Sequence, residues 1–156
     1  VENFSCGEIP LDIFLKEEIY SYREKGLSSI RFLINSDNNT VVGFSAISPC
    51  SLPVKSIPPH LSEQYQILFP LPCWLIGRLA VDKPYQRKKI GALLLFDAIK
   101  NILTHTQHGA GAGIVVDAKN EEVKNFYLKY HFIALPKRNL KLFLHISQAR
   151  ELIGSR

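Results

Sequence analysis

From Pro10 to Lys25 the apolar residues Leu11, Phe14, Leu15, Ile19 and Tyr22 return at intervals of three and four. That spacing predicts a helix with one buried face, and Gly26 supplies its stop. The period then changes. "SSIRFLI" and "VVGFSAIS" read as strands, and the "NSDNNT" between them is turn chemistry, because Asn and Asp tolerate left-handed backbone. Together they predict an antiparallel hairpin. Six prolines from Pro49 to Pro72, two of them adjacent at Pro58 and Pro59, predict a long irregular connection of the kind that lines sites. "CWLIGRLAV" predicts a central strand, and Gln86 to about His105 a helix that turns Ile90, Leu93, Leu94, Ala98, Ile99 and Leu103 inward. "GIVVDA" predicts a second buried strand. "NEEVKNFYLKY" predicts a helix whose Asn caps its start, whose two Glu face the positive end of the helix dipole, and which buries Val123, Phe126 and either Tyr127 or Tyr130. "HFIAL" and "LKLFLHI" complete the pattern as two short strands around "PKRN", followed by a tail ending "IGSR".

This order of elements is α+β, with two strands linked by crossover helices at its centre. At 156 residues the chain is long enough for a core without disulfides or metals, and without repeats or a linker it reads as one domain, 1–156. No apolar run approaches the roughly 20 residues that span a bilayer, so no membrane role is expected. "VENFSCGEIPLD" has neither a basic n-region nor an apolar h-region, and the chain lacks Met, which predicts a trimmed start and no export. Cys6, Cys50 and Cys73 are odd in number and match neither a disulfide framework nor a zinc site, so reduced thiols in the cytoplasm are expected. His105 and His108 stand three apart but lack a third ligand nearby; they read as a solvated helix end, and no metal is expected. The net charge of +5 favours an anionic partner without specifying one.

Most of the local chemistry lies in "RLAVDKPYQRKKIGALLL", Arg78 to Leu95, where Lys83, Arg87, Lys88 and Lys89 crowd the passage from strand to helix. A turn of this kind presents unpaired backbone N–H groups to an anion, and Gly91 allows close approach. Basic residues at a helix start oppose its dipole at about 0.3–1 kcal/mol each, a penalty that a bound pyrophosphate would offset. A solvated basic helix start accounts for the local residues equally well.

The segment "QRKKIG" resembles the signature of the GNAT superfamily of acyl-CoA-dependent N-acetyltransferases: Gln or Arg, two variable residues, Gly, one variable residue, then Gly or Ala. Gln86 and Gly91 match, and Lys89 stands where the first Gly is usual. Further on, Asn120 is followed by Tyr127 and Phe132 in the order of the family's Tyr-x-x-x-Gly-Phe, with His131 in place of that Gly. Within the superfamily the chain is similar to the acetyltransferase toxins of bacterial toxin–antitoxin pairs. This similarity runs from "FSCGEIPLDIFL", like their Phe-x-Cys-Gly…Leu-Asp-x-Phe-Leu opening, through "VVGFSAIS", "PCWLIGRLAVDKPYQ" and "VVDAKNEEVKNFY" to the "LP" of Leu135 and Pro136.

The resemblance implies a mixed central sheet flanked by helices and transfer of an acetyl group from acetyl-CoA to the α-amine of an aminoacyl-tRNA, which blocks translation. It also implies a ribbon-helix-helix antitoxin as partner; whether the chain forms a homodimer is left open. The implied cofactor contacts are Leu79, Ala80 and Val81 of the strand, Gln86, Arg87, Lys88, Lys89, Ile90, Gly91 and Ala92 of the turn and helix start, and Asn120 and Tyr127. Tyr127, with a phenol pKa near 10, is the candidate acid for the departing sulfur; its bland alternative is a core Tyr. Asn120 has an equal claim as a helix cap. Arg78 is a candidate beside the acceptor or a paired structural Arg, and Asp117 orients the amine or simply ends its strand. An acetyltransferase for a protein amine or small amine, and a non-catalytic acyl-CoA-binding module, are the alternatives.

Overall fold

In the computed structural model, which describes residues 1–63 and 70–154, the first helical run ends as its glycine predicts. Gly26 adopts φ +66°, its N–H donates to Arg23 O, and Leu27 N–H donates to Tyr22 O at 2.9 Å. These are the two bonds of a Schellman motif, which satisfies carbonyls the last turn leaves over. The run itself is not uniform. It consists of α1 (Ile9–Ile13), a π-helical segment (Phe14–Glu18) and α2 (Ile19–Glu24).

Six strands follow: β1 (Ser29–Asn35), β2 (Thr40–Leu52), β3 (Leu71–Val81), β4 (Gly113–Asp117), β5 (Ile133–Leu135) and β6 (Arg138–His145). They form a mixed sheet in the order β1-β2-β3-β4-β6-β5. β1 and β2 are the expected antiparallel hairpin, β3 and β4 run parallel, and β6 is antiparallel to both β4 and β5. The remaining helices are α3 (Pro59–Ser62), α4 (Ile90–Thr106), which makes the crossover from β3 to β4, α5 (Glu121–Leu128) and α6 (Ile146–Gly154). The architecture is α+β, as expected. No helix among the described residues is long and apolar enough to cross a membrane.

The chain gathers into two compact units. The first comprises Val1–Ser48 and Ile76–Ala98; the second comprises Pro49–Leu75 and the residues from Ile99 onward. In the first, Phe14, Leu15 and Ile19 of the helical run pack with Phe4, with Phe44 and Ala46 of β2 and with Ala80 of β3. Gly43 permits the close approach of α4 to β2: a Cβ there would stand 2.6 Å from Leu94 Cδ1 and 2.8 Å from Ala80 O, so β2 accepts no side chain at that point. In the second unit, Leu52, Ile57, Leu71, Cys73, Val115, Leu135 and Phe143 form the core.

Three expectations are corrected. β2 runs four residues past Ser48 into the proline-rich segment, whose residues 64–69 lie outside the described ones. The pairing of β1 reaches no further than Ile47, so Pro49 lies beyond that ladder and forfeits no bond to β1. The segment also contains a 3₁₀ turn at Val54–Ser56 and the single-turn α3. Second, α4 begins at Ile90 rather than Gln86, and its buried face is Leu94, Leu95, Phe96, Ala98, Ile99 and Ile102, leaving Leu93 48% exposed. Third, the expected tail is mostly helix, with residues 155–156 outside the described ones. α6 starts directly from β6: Ile146 N–H donates to Ala112 O, and His145 Nδ1 accepts Ser147 N–H at 3.1 Å in place of a usual cap. Burial, followed by the charge of Arg150, lowers the His145 pKa and so favours the neutral ring that can accept this bond.

Candidate active site

In the first unit β3 gives way to a 3₁₀ turn at Lys83–Tyr85, then to the turn Gln86–Lys89, then to α4. Arg87 has φ +60° and Lys89 φ +63°, left-handed conformations that cost an L-residue about 1–2 kcal/mol each. Leu93 N–H donates to Lys89 O, which makes Lys89 the first acceptor of α4. Among the described residues, no hydrogen bond uses the N–H of Arg87, Lys88, Lys89, Ile90, Gly91 or Ala92. A run of N–H groups shaped by left-handed residues and opening on a helix start is an anion nest. The side chains of Arg87, Lys88 and Lys89 are exposed around it. The Gln86 side chain instead ties the turn to its neighbours, its amide nitrogen donating to Val81 O at 2.8 Å and to Cys6 O at 2.7 Å. Tyr85 lies beneath Lys88, whose Nζ is 5.9 Å from the ring centre, and its hydroxyl accepts a bond from Asn35.

Leu79, Ala80 and Val81 close β3, with Ala80 buried and its neighbours partly so. The parallel ladder between β3 and β4 consists of Trp74 opposite Ile114 and Leu75 opposite Val115. The ladder to β4 does not extend past Leu75, so from Ile76 to Ala80 the β3 backbone is not spent on β4, while Val81 O is taken by the Gln86 amide. Arg78 is half-buried and stacks its guanidinium 3.7 Å from the centre of the Phe14 ring and 4.9 Å from that of Tyr22. It makes no ion pair or side-chain hydrogen bond with any described residue, so the expected structural pairing is absent there. Phe14 and Tyr22, which the apolar period assigns to the core, are the residues the sequence did not connect with Arg78.

In the second unit Asn120 caps α5, its Oδ1 accepting Val123 N–H at 2.9 Å. Tyr127 is 6% exposed and packs between Phe126 and Phe132, with ring centres 5.1 and 5.4 Å away. Its hydroxyl has no hydrogen-bond partner among the described residues, and burial pushes its pKa up to about 12. A buried hydroxyl without a partner costs about 1–3 kcal/mol, which is unusual in a core and ordinary where a ligand completes the bond. Asp117 ends β4 and is held by Lys141, its partner in the β4–β6 register, at 3.3 Å; both line a cavity of about 220 Å³ with Arg138 and Asn139. The nearby start of α5 is tied down by Lys124, which donates to Asn139, and by Asn139, which donates to Glu121. His105 is not merely solvated: its ring lies 5.0 Å from that of Trp74, and Nδ1 contacts Asn101 O.

Lys89 and His131, the two residues in place of motif glycines, are both left-handed, His131 with φ +69°. The backbone therefore keeps the conformation that a glycine adopts most easily.

The acetyltransferase (GNAT) family model matches residues 6–132. Over 154 residues, 99% of this chain and 90% of the relative, the chain is 32% identical to the tRNA-acetylating toxin of Mycobacterium tuberculosis (strain ATCC 25618 / H37Rv). The crystal structure of a Tyr-to-Phe mutant of KacT is similar with a TM-score of 0.89 and 25% identity, covering 96% of this chain and 89% of that one. That of AtaTR bound with AcCoA is similar with a TM-score of 0.81 and 25% identity, over 96% and 88% of the two chains. Matched across most of its length, the chain belongs to the acetyltransferase (GNAT) family.

Proposed function

We propose that this chain transfers the acetyl group of acetyl-CoA to the α-amine of an aminoacyl-tRNA and acts as a toxin by stopping translation. The observation that carries the catalytic part is the nest at Arg87–Ala92, whose N–H groups, unused among the described residues, and three flanking cations suit a pyrophosphate. The substrate follows from the tRNA-acetylating relative, to which the chain is similar almost end to end. When bound, acetyl-CoA supplies an acetyl group already activated as a thioester.

The chain's own residues bind, orient and protonate. The nest holds the phosphates, and the open side of Ile76–Ala80 receives the pantetheine through main-chain bonds, one N–H of which polarises the thioester carbonyl. An α-amine has a pKa of about 7.7–8.0, and esterification of the adjacent carboxyl lowers it further, so a strong general base is unnecessary at neutral pH. Tyr127 donates its hydroxyl proton in a hydrogen bond to the sulfur as the C–S bond breaks. With its pKa near 12 the phenol stays protonated, and it stabilises the departing thiolate chiefly as a donor rather than by full transfer. Arg78 offers its stacked guanidinium to the acceptor end of the tRNA, whereas Asp117, engaged by Lys141, has a mainly structural part. A ribbon-helix-helix antitoxin is the neutralising partner this reading assigns. The site of action is the cytoplasm, where charged tRNA is found, and a homodimer is compatible with it.

The test is incubation with charged tRNA pools and labelled acetyl-CoA, followed by identification of the labelled product. Label on the α-amine of an aminoacyl group supports the proposal. Label only on protein or small amines, or acetyl-CoA binding without turnover, overturns it in favour of one of the two alternatives.

A further inference from the structure

The opening motif, Phe4, Cys6, Gly7, Leu11 and Asp12, is not used by the chemistry above, yet its polar contacts converge on the anion turn. Phe4 is 2% exposed and anchors the segment in the core of the first unit. The next residues run along the turn as a strap. Ser5 N–H donates to Asp82 Oδ1 at 2.8 Å, and Ser5 O accepts Lys83 N–H at 2.9 Å, so this one residue pairs with both sides of the point where β3 becomes the 3₁₀ turn. Cys6 O accepts from the Gln86 amide, which also holds Val81 O. Gly7 then reverses the chain at φ +96°, where a Cβ would meet Lys83 Cε at 3.4 Å.

On its far side the strap is held by a single carboxylate. Asp12, in α1, accepts Cys6 N–H at 2.9 Å on one oxygen and the Ser5 hydroxyl at 3.3 Å on the other. Cys6 is thus clamped from both ends, its N–H by Asp12 and its C=O by Gln86. The turn needs such support, since left-handed Arg87 and Lys89 must be maintained and no described residue accepts from the N–H groups that follow.

We infer that Asp12 is a positioning residue for the anion nest, acting through Cys6 and Gln86 to hold the Arg87–Ala92 N–H groups in place for acetyl-CoA. The strap orders the nest before the ligand arrives, so that less freedom is lost on binding. This rests on the assignment of the nest to acetyl-CoA. A nest that must order itself binds more weakly, but once filled it presents the thioester as before, so Asp12 should govern affinity rather than turnover.

The experiment compares wild type, Asp12→Ala, Asp12→Glu and Gly91→Glu by calorimetry with acetyl-CoA, single-turnover rates at saturation and melting curves. Asp12→Ala should raise the Kd about tenfold and leave the saturated rate within about twofold, because the hydrogen bonds lost are to a charged group and water recovers only part of them. Asp12→Glu, which keeps the carboxylate, should recover part of the affinity. Gly91→Glu, which puts a negative side chain into the nest, should lose binding. If Gly91→Glu binds like wild type, the nest is not the acetyl-CoA site. If it fails to bind while Asp12→Ala keeps the wild-type Kd, whether or not its melting point falls, the nest stands and the strap's role is overturned. Backbone order parameters of residues 87–92 from nitrogen-15 relaxation give a second reading, independent of ligand: they should fall in Asp12→Ala, and unchanged values contradict the inference.

Discussion

The guanidinium of Arg78 lies 3.7 Å from the centre of the Phe14 ring, and Tyr22 flanks it from a second side. Cation–π contacts of this kind contribute about 0.5–2 kcal/mol each and hold a planar group in one orientation without using its N–H donors. Arg78→Lys keeps the charge and loses the plane. It is expected to raise the KM for charged tRNA several-fold while leaving the acetyl-CoA Kd unchanged. A lower melting point with both constants intact would reduce Arg78 to a packing residue.

Tyr127→Phe is expected to separate stability from activity. The variant removes a buried hydroxyl that has no partner among the described residues, so the melting point should hold or rise. Single-turnover acetylation at saturating acetyl-CoA should fall about 10²–10³-fold, the lower half of the range for general-acid loss. Wild-type rates would remove this hydroxyl from the mechanism.

The pH–rate profile should have one limb. The rate rises as the α-amine of the substrate loses its proton near pH 7–8 and then holds level through the alkaline range, because Tyr127, raised to about 12, remains protonated there. A fall in rate between pH 8 and 10 in stability-matched assays would point to a different acid.

Acid should loosen the C-terminal helix. The His145 pKa is lowered in the fold, so the neutral ring is favoured by folding; that stability is present above the unfolded value near 6.5 and is lost as pH falls through the lower folded value. Protonated His145 can no longer accept Ser147 N–H at the start of α6. Protection of the α6 amides, taken relative to their intrinsic exchange rates, should fall as acid protonates His145, and His145→Asn, which retains a side-chain acceptor, should flatten the dependence.

Lys89→Gly and His131→Gly should each stabilise the fold by about 1 kcal/mol in chemical denaturation, since both positions are left-handed. The two should differ in ligand binding. Lys89→Gly removes a cation beside the nest and should weaken acetyl-CoA binding at moderate salt, whereas His131→Gly should leave it unchanged. Tighter binding by Lys89→Gly would mean that backbone strain, not charge, governs this position.

The hairpin, the crossover and the cap at Asn120 were legible because each rests on neighbours in sequence: turn residues between two strands, a periodic apolar face, an acceptor three residues before its donor. α6 was not, because its cap is the imidazole of His145 and only Ile146 and Ala149 are fully buried along it. The start of α4 was placed too early because the apolar period cannot show that Arg87 and Lys89 turn left-handed before Ile90. In the candidate site, motif order indicated the nest and Tyr127. That no described residue bonds the Tyr127 hydroxyl depends on what surrounds it in space, and the stack of Arg78 on Phe14 and Tyr22 joins residues far apart in the chain.

Pro49 has a consequence for life in a crowded cell. Past Ile47, β2 has an edge that β1 does not cover, the kind of surface onto which a strand from another molecule can add. An exposed proline offers no donor to such a strand and breaks the row of bonds near its beginning. The residue that reads in the sequence as the end of a strand thus guards against aggregation. Pro49→Val should leave the protein folded yet shorten its lifetime in concentrated solution.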